Sequence, residues 1–165
     1  MRFLGIDHGE RRVGLAVSDE SGSIAHPRDT WVRKDPEQLL VRLAAFVREE
    51  EVERIVVGLP LTLEGREGAS ARRARRFAEK LGERTGLEIV LWDERLSSVA
   101  AERSLREAGV SAKKQKGLVD RVAAALLLQS YLDSRQRREE TWQAADGETG
   151  APGAGDPADE PSPVR

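Results

Sequence analysis

Short apolar runs alternate with polar, glycine-marked turns along the first third of the chain. Residues 2–7 and 12–18 are two such runs, separated by His8-Gly9-Glu10, a connection short enough for a hairpin. A weaker third strand spans residues 23–32 and is interrupted at Pro27. Asp35-Pro36-Glu37-Gln38 then opens a helix, with Asp35 as N-cap, Pro36 at the first helical position and Gln38 closing a capping box. Leu40, Leu43, Ala44 and Val47 recur at helical spacing and form its buried stripe. Residues 54–59 (Arg-Ile-Val-Val-Gly-Leu) are the β-branched run of a buried parallel strand.

Residues 60–68 form a polar, glycine-punctuated loop, and a helix follows with Ala71, Ala74, Ala78 and Leu81 on one face and Phe77 beside them. Residues 88–92 are another buried strand. Ser97 or Ser98 can cap a third helix running to about Gly109. A basic loop at 110–116 leads into a last helix over 117–134. Strands alternating with amphipathic helices predict an α/β layer fold with an antiparallel hairpin at its start.

Composition changes the picture at one end only. The chain has 27 bases and 29 acids among 165 residues, but seven of those acids and one base fall from Glu139 onward. Residues 1–138 therefore carry 26 bases against 22 acids, a mildly basic domain with an acidic tail. That tail, residues 139–165, is rich in Gly, Pro and Ala, lacks periodicity, and is expected to be disordered. There is no cysteine, which excludes disulfides and thiolate metal sites. The N-terminal apolar run meets a charge at Asp7, too early for a secretory signal. The longest apolar run, residues 122–128, falls far short of the roughly 20 residues that span a bilayer. A soluble, cytoplasmic protein without membrane contact is expected.

Three carboxylates stand in awkward places. Asp7 ends an apolar strand, where an acid is costly to desolvate without a cation or hydrogen-bond donors. Asp93-Glu94 repeats the situation at the end of another strand, and functional groups in parallel sheets gather at such ends. Turn or helix capping remains the other reading of these acids, of Asp93 above all. Asp120 shares a helical stripe with Ala124, Leu127 and Tyr131 that is otherwise apolar. The helix dipole favours an acid in the first turn, but does not explain an acid that points inward. Three hard oxygen donors suit Mg²⁺ or Mn²⁺. Zinc is disfavoured by the absence of Cys and by the presence of only His8 and His26, and His8 reads as a structural or substrate contact. No nucleophile elbow, Walker loop or dinucleotide fingerprint is present. Of two basic clusters, Arg72, Arg73, Arg75 and Arg76 read as a solvated helix face. Lys113, Lys114, Lys116 and Arg121 surround Asp120 and are better placed to bring phosphates to the acids.

These residues add up to a pattern. Gly5-Ile6-Asp7-His8-Gly9 with residues 12–19, Val56-Val57-Gly58-Leu59-Pro60, Trp92-Asp93-Glu94-Arg95-Leu96-Ser97-Ser98, and Lys116-Gly117-Leu118-Val119-Asp120 with Ala123-Ala124 follow in order across residues 1–134. In this the chain resembles the YqgF-type family, Holliday-junction-resolvase-like proteins described as pre-16S ribosomal RNA nucleases. The resemblance implies a ribonuclease H-like fold with a mixed five-stranded sheet flanked by helices. It also implies a nuclease whose active-site acids are Asp7, Glu94 and Asp120, holding Mg²⁺ or Mn²⁺. His8 fills a slot that is often apolar in the family, and Glu10 stands where a hydroxyl or basic residue is common.

The expected reaction is in-line phosphodiester hydrolysis with Asp7 bridging two ions, acting on pre-rRNA or on branched DNA, with Arg95, Lys114, Lys116 and Arg121 on the nucleic acid. Two other readings compete. An actin- or sugar-kinase-like ATPase also opens on Asp-x-Gly at a hairpin, but needs two such domains. A non-catalytic nucleic-acid-binding module has no need of all three acids.

Overall fold

The computed structural model of the chain describes residues 1–96, 108–109 and 111–149, the side chains of residues 112–121 and 146–149 excepted. The element order is β1 (Phe3–His8), β2 (Arg12–Ser18), β3 (Ala25–Val32), α1 (Pro36–Glu49), β4 (Arg54–Leu59), α2 (Ala69–Thr85), β5 (Glu88–Asp93) and α3 (Ala112–Thr149). The five strands make one mixed sheet in the order β3-β2-β1-β4-β5. The hairpin pairs β1 with β2 and β2 with β3 antiparallel, while β1, β4 and β5 run parallel. The β4 run is buried at every position, as a central parallel strand must be.

Helices cover both faces. Leu39, Leu40, Leu43 and Val47 of α1, with Phe77, Ala78 and Leu81 of α2, pack on Leu4, Ile6, Val13, Leu15, Ile55 and Val57. Asp35 caps α1 by accepting the Glu37 N–H at 2.9 Å. On the other face Ala124, Leu127, Leu128, Tyr131 and Leu132 of α3 meet Phe3, Ala16, Val56, Val90 and Trp92. Burying each such aliphatic side chain stabilises by roughly 1.5–3 kcal/mol. The helix is also pinned by polar contacts. Gln129 accepts the Ala25 N–H at 2.8 Å and donates to the Ser23 carbonyl at 2.9 Å, and the Trp92 indole donates to Ser130 at 3.1 Å. Its approach to β1 is close enough that a Cβ on Gly5 would lie 2.7 Å from Leu128 Cβ and 3.0 Å from the Ala124 carbonyl oxygen.

Several boundaries differ from the periodicity reading. β3 passes through Pro27 without interruption, because it is an edge strand that bulges against β2 between Gly14 and Ala16. The basic segment expected as a loop at 110–116 is helical from Ala112, where Ala, Lys and Gln are all strong helix formers. At its other end α3 continues past Ser134 to Thr149, so the first part of the segment expected to be disordered is helical. Beyond the last buried residue, Arg, Gln, Glu and Ala carry the helix by propensity, helped by the i,i+4 pair Arg135–Glu139 at 2.9 Å. Residues 94–96 begin a helical turn and 108–109 form a turn, while residues 97–107 of the helix expected up to Gly109 lie outside the described residues, as do 150–165. No helix among the described residues is long and apolar enough to cross a membrane.

Candidate active site

Because β1, β4 and β5 are parallel, their carboxyl ends share one edge of the sheet. Ile6 is level with Val57, and Gly58 with Trp92, so Asp7, Gly58 and the end of β5 stand in one row. Side chains alternate along a strand, and Gly5 faces α3; Asp7, two residues on, faces the same way. Gly14, the register partner of Asp7, lies between Asp7 and Ala124: a Cβ there would be 3.8 Å from Asp7 Cβ and 3.5 Å from Ala124 Cβ.

Glu94 follows β5 directly and reaches across the end of β4, where its half-buried carboxyl hydrogen-bonds that of Asp7. Gly58 makes the passage possible. A Cβ at that position would stand 2.5 Å from Glu94 Oε1 and 2.9 Å from its Cγ. Burial, then the charge of Asp7 and the hydrogen bond to it, push the Glu94 carboxyl from 4.5 up to about 8. Two acids in contact away from bulk water cannot both ionise cheaply, so one proton is shared between them at neutral pH.

The neighbouring Asp93 behaves differently. Its partial burial opposes ionisation, but the Arg95 side chain and N–H hold its carboxyl below the ordinary value. Arg95 Nη2 donates to Asp93 Oδ2 at 2.6 Å and Nε to both oxygens at 3.0 Å, while Nη1 reaches the Leu63 carbonyl at 3.3 Å. Arg95, expected on the nucleic acid, thus ties the 60–68 loop to the end of β5. The loop itself is closed by a bridge between Leu61 and Glu67 and by the Gly65 N–H donating to Thr62 at 2.8 Å.

Asp7 and Glu94 open into a polar cavity of about 170 Å³, whose other lining residues are His8, Gly9, Glu10, Pro60, Ser70 and Arg73. His8 stacks on Phe77 of α2, ring centroids 4.3 Å apart and 15° from parallel. Arg33 Nη1 donates to His8 Nε2 at 3.1 Å. Burial, then the charges of Arg33 and Arg73, lower the imidazole from 6.5 to about 4, so His8 is a neutral acceptor at physiological pH. Arg73 departs from the solvated face on which its neighbours were placed: it extends to Glu10 at 3.2 Å and to Ser70 Oγ at 3.2 Å. Arg75 pairs with Glu67, while Arg72 and Arg76 are exposed.

Asp120 lies on α3 one turn ahead of Ala124, and its side chain is outside the described residues, as are those of Lys114, Lys116 and Arg121. Among the described residues no group of three His, Cys, Asp or Glu side chains is assembled that could hold a metal ion. Two contributors were missed from the sequence. Gly58 carried a signal, since a glycine inside a buried strand marks a close approach; Arg73 carried none that set it apart from Arg72, Arg75 and Arg76.

A family model described as RuvX, Holliday junction resolvase, matches residues 1–134. The chain belongs to the RuvX family. A relative from Anaeromyxobacter sp. (strain Fw109-5), named "Putative pre-16S rRNA nuclease", is 50% identical over 135 residues, 82% of this chain and 98% of the relative. Relatives of the same name from Halalkalibacterium halodurans and Halothermothrix orenii are 45% and 42% identical, over 82% and 83% of this chain and 99% and 98% of theirs. Among solved structures, Thermus thermophilus RuvC in complex with a Holliday junction substrate superposes with a TM-score of 0.52 at 18% identity, covering 81% of this chain and 96% of RuvC. That likeness establishes the ribonuclease H-like fold. Membership of the family, not that likeness, makes this chain a nuclease.

Proposed function

We propose that the chain is a divalent-metal-dependent endonuclease acting at the Asp7–Glu94 edge of the sheet, and that its substrate is structured RNA at the 5′ end of pre-16S rRNA in the cytoplasm. The observation that carries this reading is the Asp7–Glu94 contact: two carboxyls brought together across β4, with Glu94 raised to about 8. As pH rises past neutrality such a pair costs the fold stability, because both carboxyls must ionise side by side unless a cation offsets their charge. The donor set of hard oxygens fits Mg²⁺ or Mn²⁺. Asp7, at the strand tip, would hold the metal together with Glu94 and Asp120. Bound there, two such ions stabilise negative charge on the attacking and leaving oxygens of a phosphodiester.

The chain's own groups have separable tasks. Glu94 would have to ionise to hold a cation, so metal binding would strengthen as pH rises. Gly58 leaves room for its carboxyl. Arg95 positions the 60–68 loop and holds Asp93 ionised, while Lys114, Lys116 and Arg121 take phosphates along the start of α3. The name borne by the relatives supports pre-16S rRNA as substrate. The description of the family favours a second reading, a resolvase acting on four-way DNA junctions.

Labelled pre-16S rRNA, single-stranded RNA and four-way DNA junctions, each incubated with Mg²⁺, Mn²⁺ or excess chelator, decide between them. Metal-dependent cleavage of the rRNA precursor is expected, abolished in Asp7→Asn with the fold intact. Undiminished cleavage in chelator, or full activity in Asp7→Asn, overturns the proposal. Selective cutting of the junction transfers the substrate to DNA.

A further inference from the structure

A nuclease cavity lined by carboxylates faces an electrostatic difficulty, because its substrate is itself an anion. Asp7, Glu94 and Glu10 all line this one. Arg73 is the single cation among the described lining residues. Its position is not a helix-surface accident. The half-buried side chain leaves α2 and crosses to the β1–β2 turn, 63 residues away in sequence, where the Glu10 carboxylate takes it at 3.2 Å. Glu10 is 77% exposed and Arg73 41%, so the pair is solvated and held weakly. The same Nη2 also donates to Ser70 Oγ at 3.2 Å.

A guanidinium bonded to a weakly held oxyanion at the mouth of a phosphodiester-cleaving site has the geometry of a phosphate receptor with a substitute anion in place. The fork that binds one carboxylate oxygen binds a phosphate oxygen by the same donors. We propose that Arg73 is the substrate-phosphate contact of this cavity, and that Glu10 occupies it as an internal competitor until nucleic acid displaces the carboxylate. This rests on the nuclease reading of the same site and adds the residue that orients the substrate over Asp7 and Glu94. Arg75, already paired with Glu67 on the loop, has a structural partner rather than a cavity to face.

Binding of a labelled RNA stem-loop and of a labelled four-way DNA junction to the full chain, in excess chelator and across a salt series, tests the proposal. Arg73→Ala is expected to weaken binding about tenfold and to flatten the log–log salt dependence by about one unit. Arg73→Lys should keep the slope and lose part of the affinity, since it retains the charge without the planar fork. Glu10→Gln is expected to tighten binding about threefold in the wild-type background and to add nothing in Arg73→Ala. A wild-type slope in Arg73→Ala overturns the assignment, and a Glu10→Gln gain that persists without Arg73 overturns the competitor role. Should Arg73→Ala melt early, Arg73→Gln at unchanged melting temperature carries the same comparison. Cleavage with Mg²⁺ or Mn²⁺ is read separately. If wild type cuts nothing, the nuclease reading fails while the binding data still judge Arg73. If wild type cuts and Arg73→Ala binds normally, only this inference fails.

Discussion

Gly58→Ala isolates the Asp7–Glu94 contact without touching either acid. The added Cβ would lie 2.5 Å from Glu94 Oε1 and 3.1 Å from Cδ, whereas ordinary contact begins near 3.4 Å, so the carboxyl must retreat by about 1 Å. What yields is the end of a flexible side chain, not backbone, so the fold accommodates the methyl. Replacing a strand glycine also recovers about 0.5–1 kcal/mol of chain entropy. Melting within a few degrees of wild type is therefore expected. Catalysis is less forgiving. A displacement of about 1 Å at a reacting centre costs on the order of 100-fold, or about 2.7 kcal/mol of barrier.

The same movement separates Glu94 from Asp7 and lets its pKa fall back from about 8 toward 4.5. A carboxyl raised on folding contributes stability that is fully present below 4.5 and is lost as pH rises through about 8. Chelator-treated wild type should therefore lose stability across that interval, and Gly58→Ala should lose less. Single-turnover cleavage with Mg²⁺, and melts of chelator-treated protein from pH 4 to 9, measure both. Wild-type cleavage with an unaltered pH slope would refute the role assigned to the glycine, and so would a melting collapse that accounts for the lost activity.

Gly5→Ala differs in kind, because its Cβ would meet the Ala124 carbonyl as well as Leu128 Cβ; a loss of about 1–3 kcal/mol in chemical denaturation is expected, and no loss would contradict the close approach of α3. In the metal-free protein, the His8 ring signals in an NMR titration should move near pH 4 rather than 6.5. A base lowered on folding contributes stability present above 6.5 and lost as pH falls through about 4, and a ring titrating at 6.5 would refute its buried contact with Phe77 and Arg33. Removing residues 139–165 should leave the melting temperature within about 2 °C, since residues 139–145 are exposed and bury little; a larger fall would mean that the segment packs on the domain.

Local pattern carried the elements well. Arg54–Leu59 and Arg12–Ser18 agree at both ends with their apolar runs, and Asp35 caps α1 from the position its side chain chemistry favours. Burial periodicity and capping act within a few residues, so they are written in the chain itself. The boundaries that moved were decided elsewhere. Pro27 stays in a strand because β3 is an edge, and α3 outruns its apolar stripe because propensity persists where burial ends. For the site, the apolar setting of Asp7 and Glu94 marked each as unusual, yet nothing local said that they touch. Their contact depends on β1 and β5 flanking β4 in parallel, on a register that levels Asp7 with Gly58, and on the missing side chain between them. Arg73 is the sharper case: four arginines on one helix are equivalent by spacing, and only the turn holding Glu10, brought over α2 by the sheet, sets one of them apart. Element identity is a property of neighbours in sequence, whereas a site is a coincidence of side chains from distant segments, and only the packed fold sets those distances.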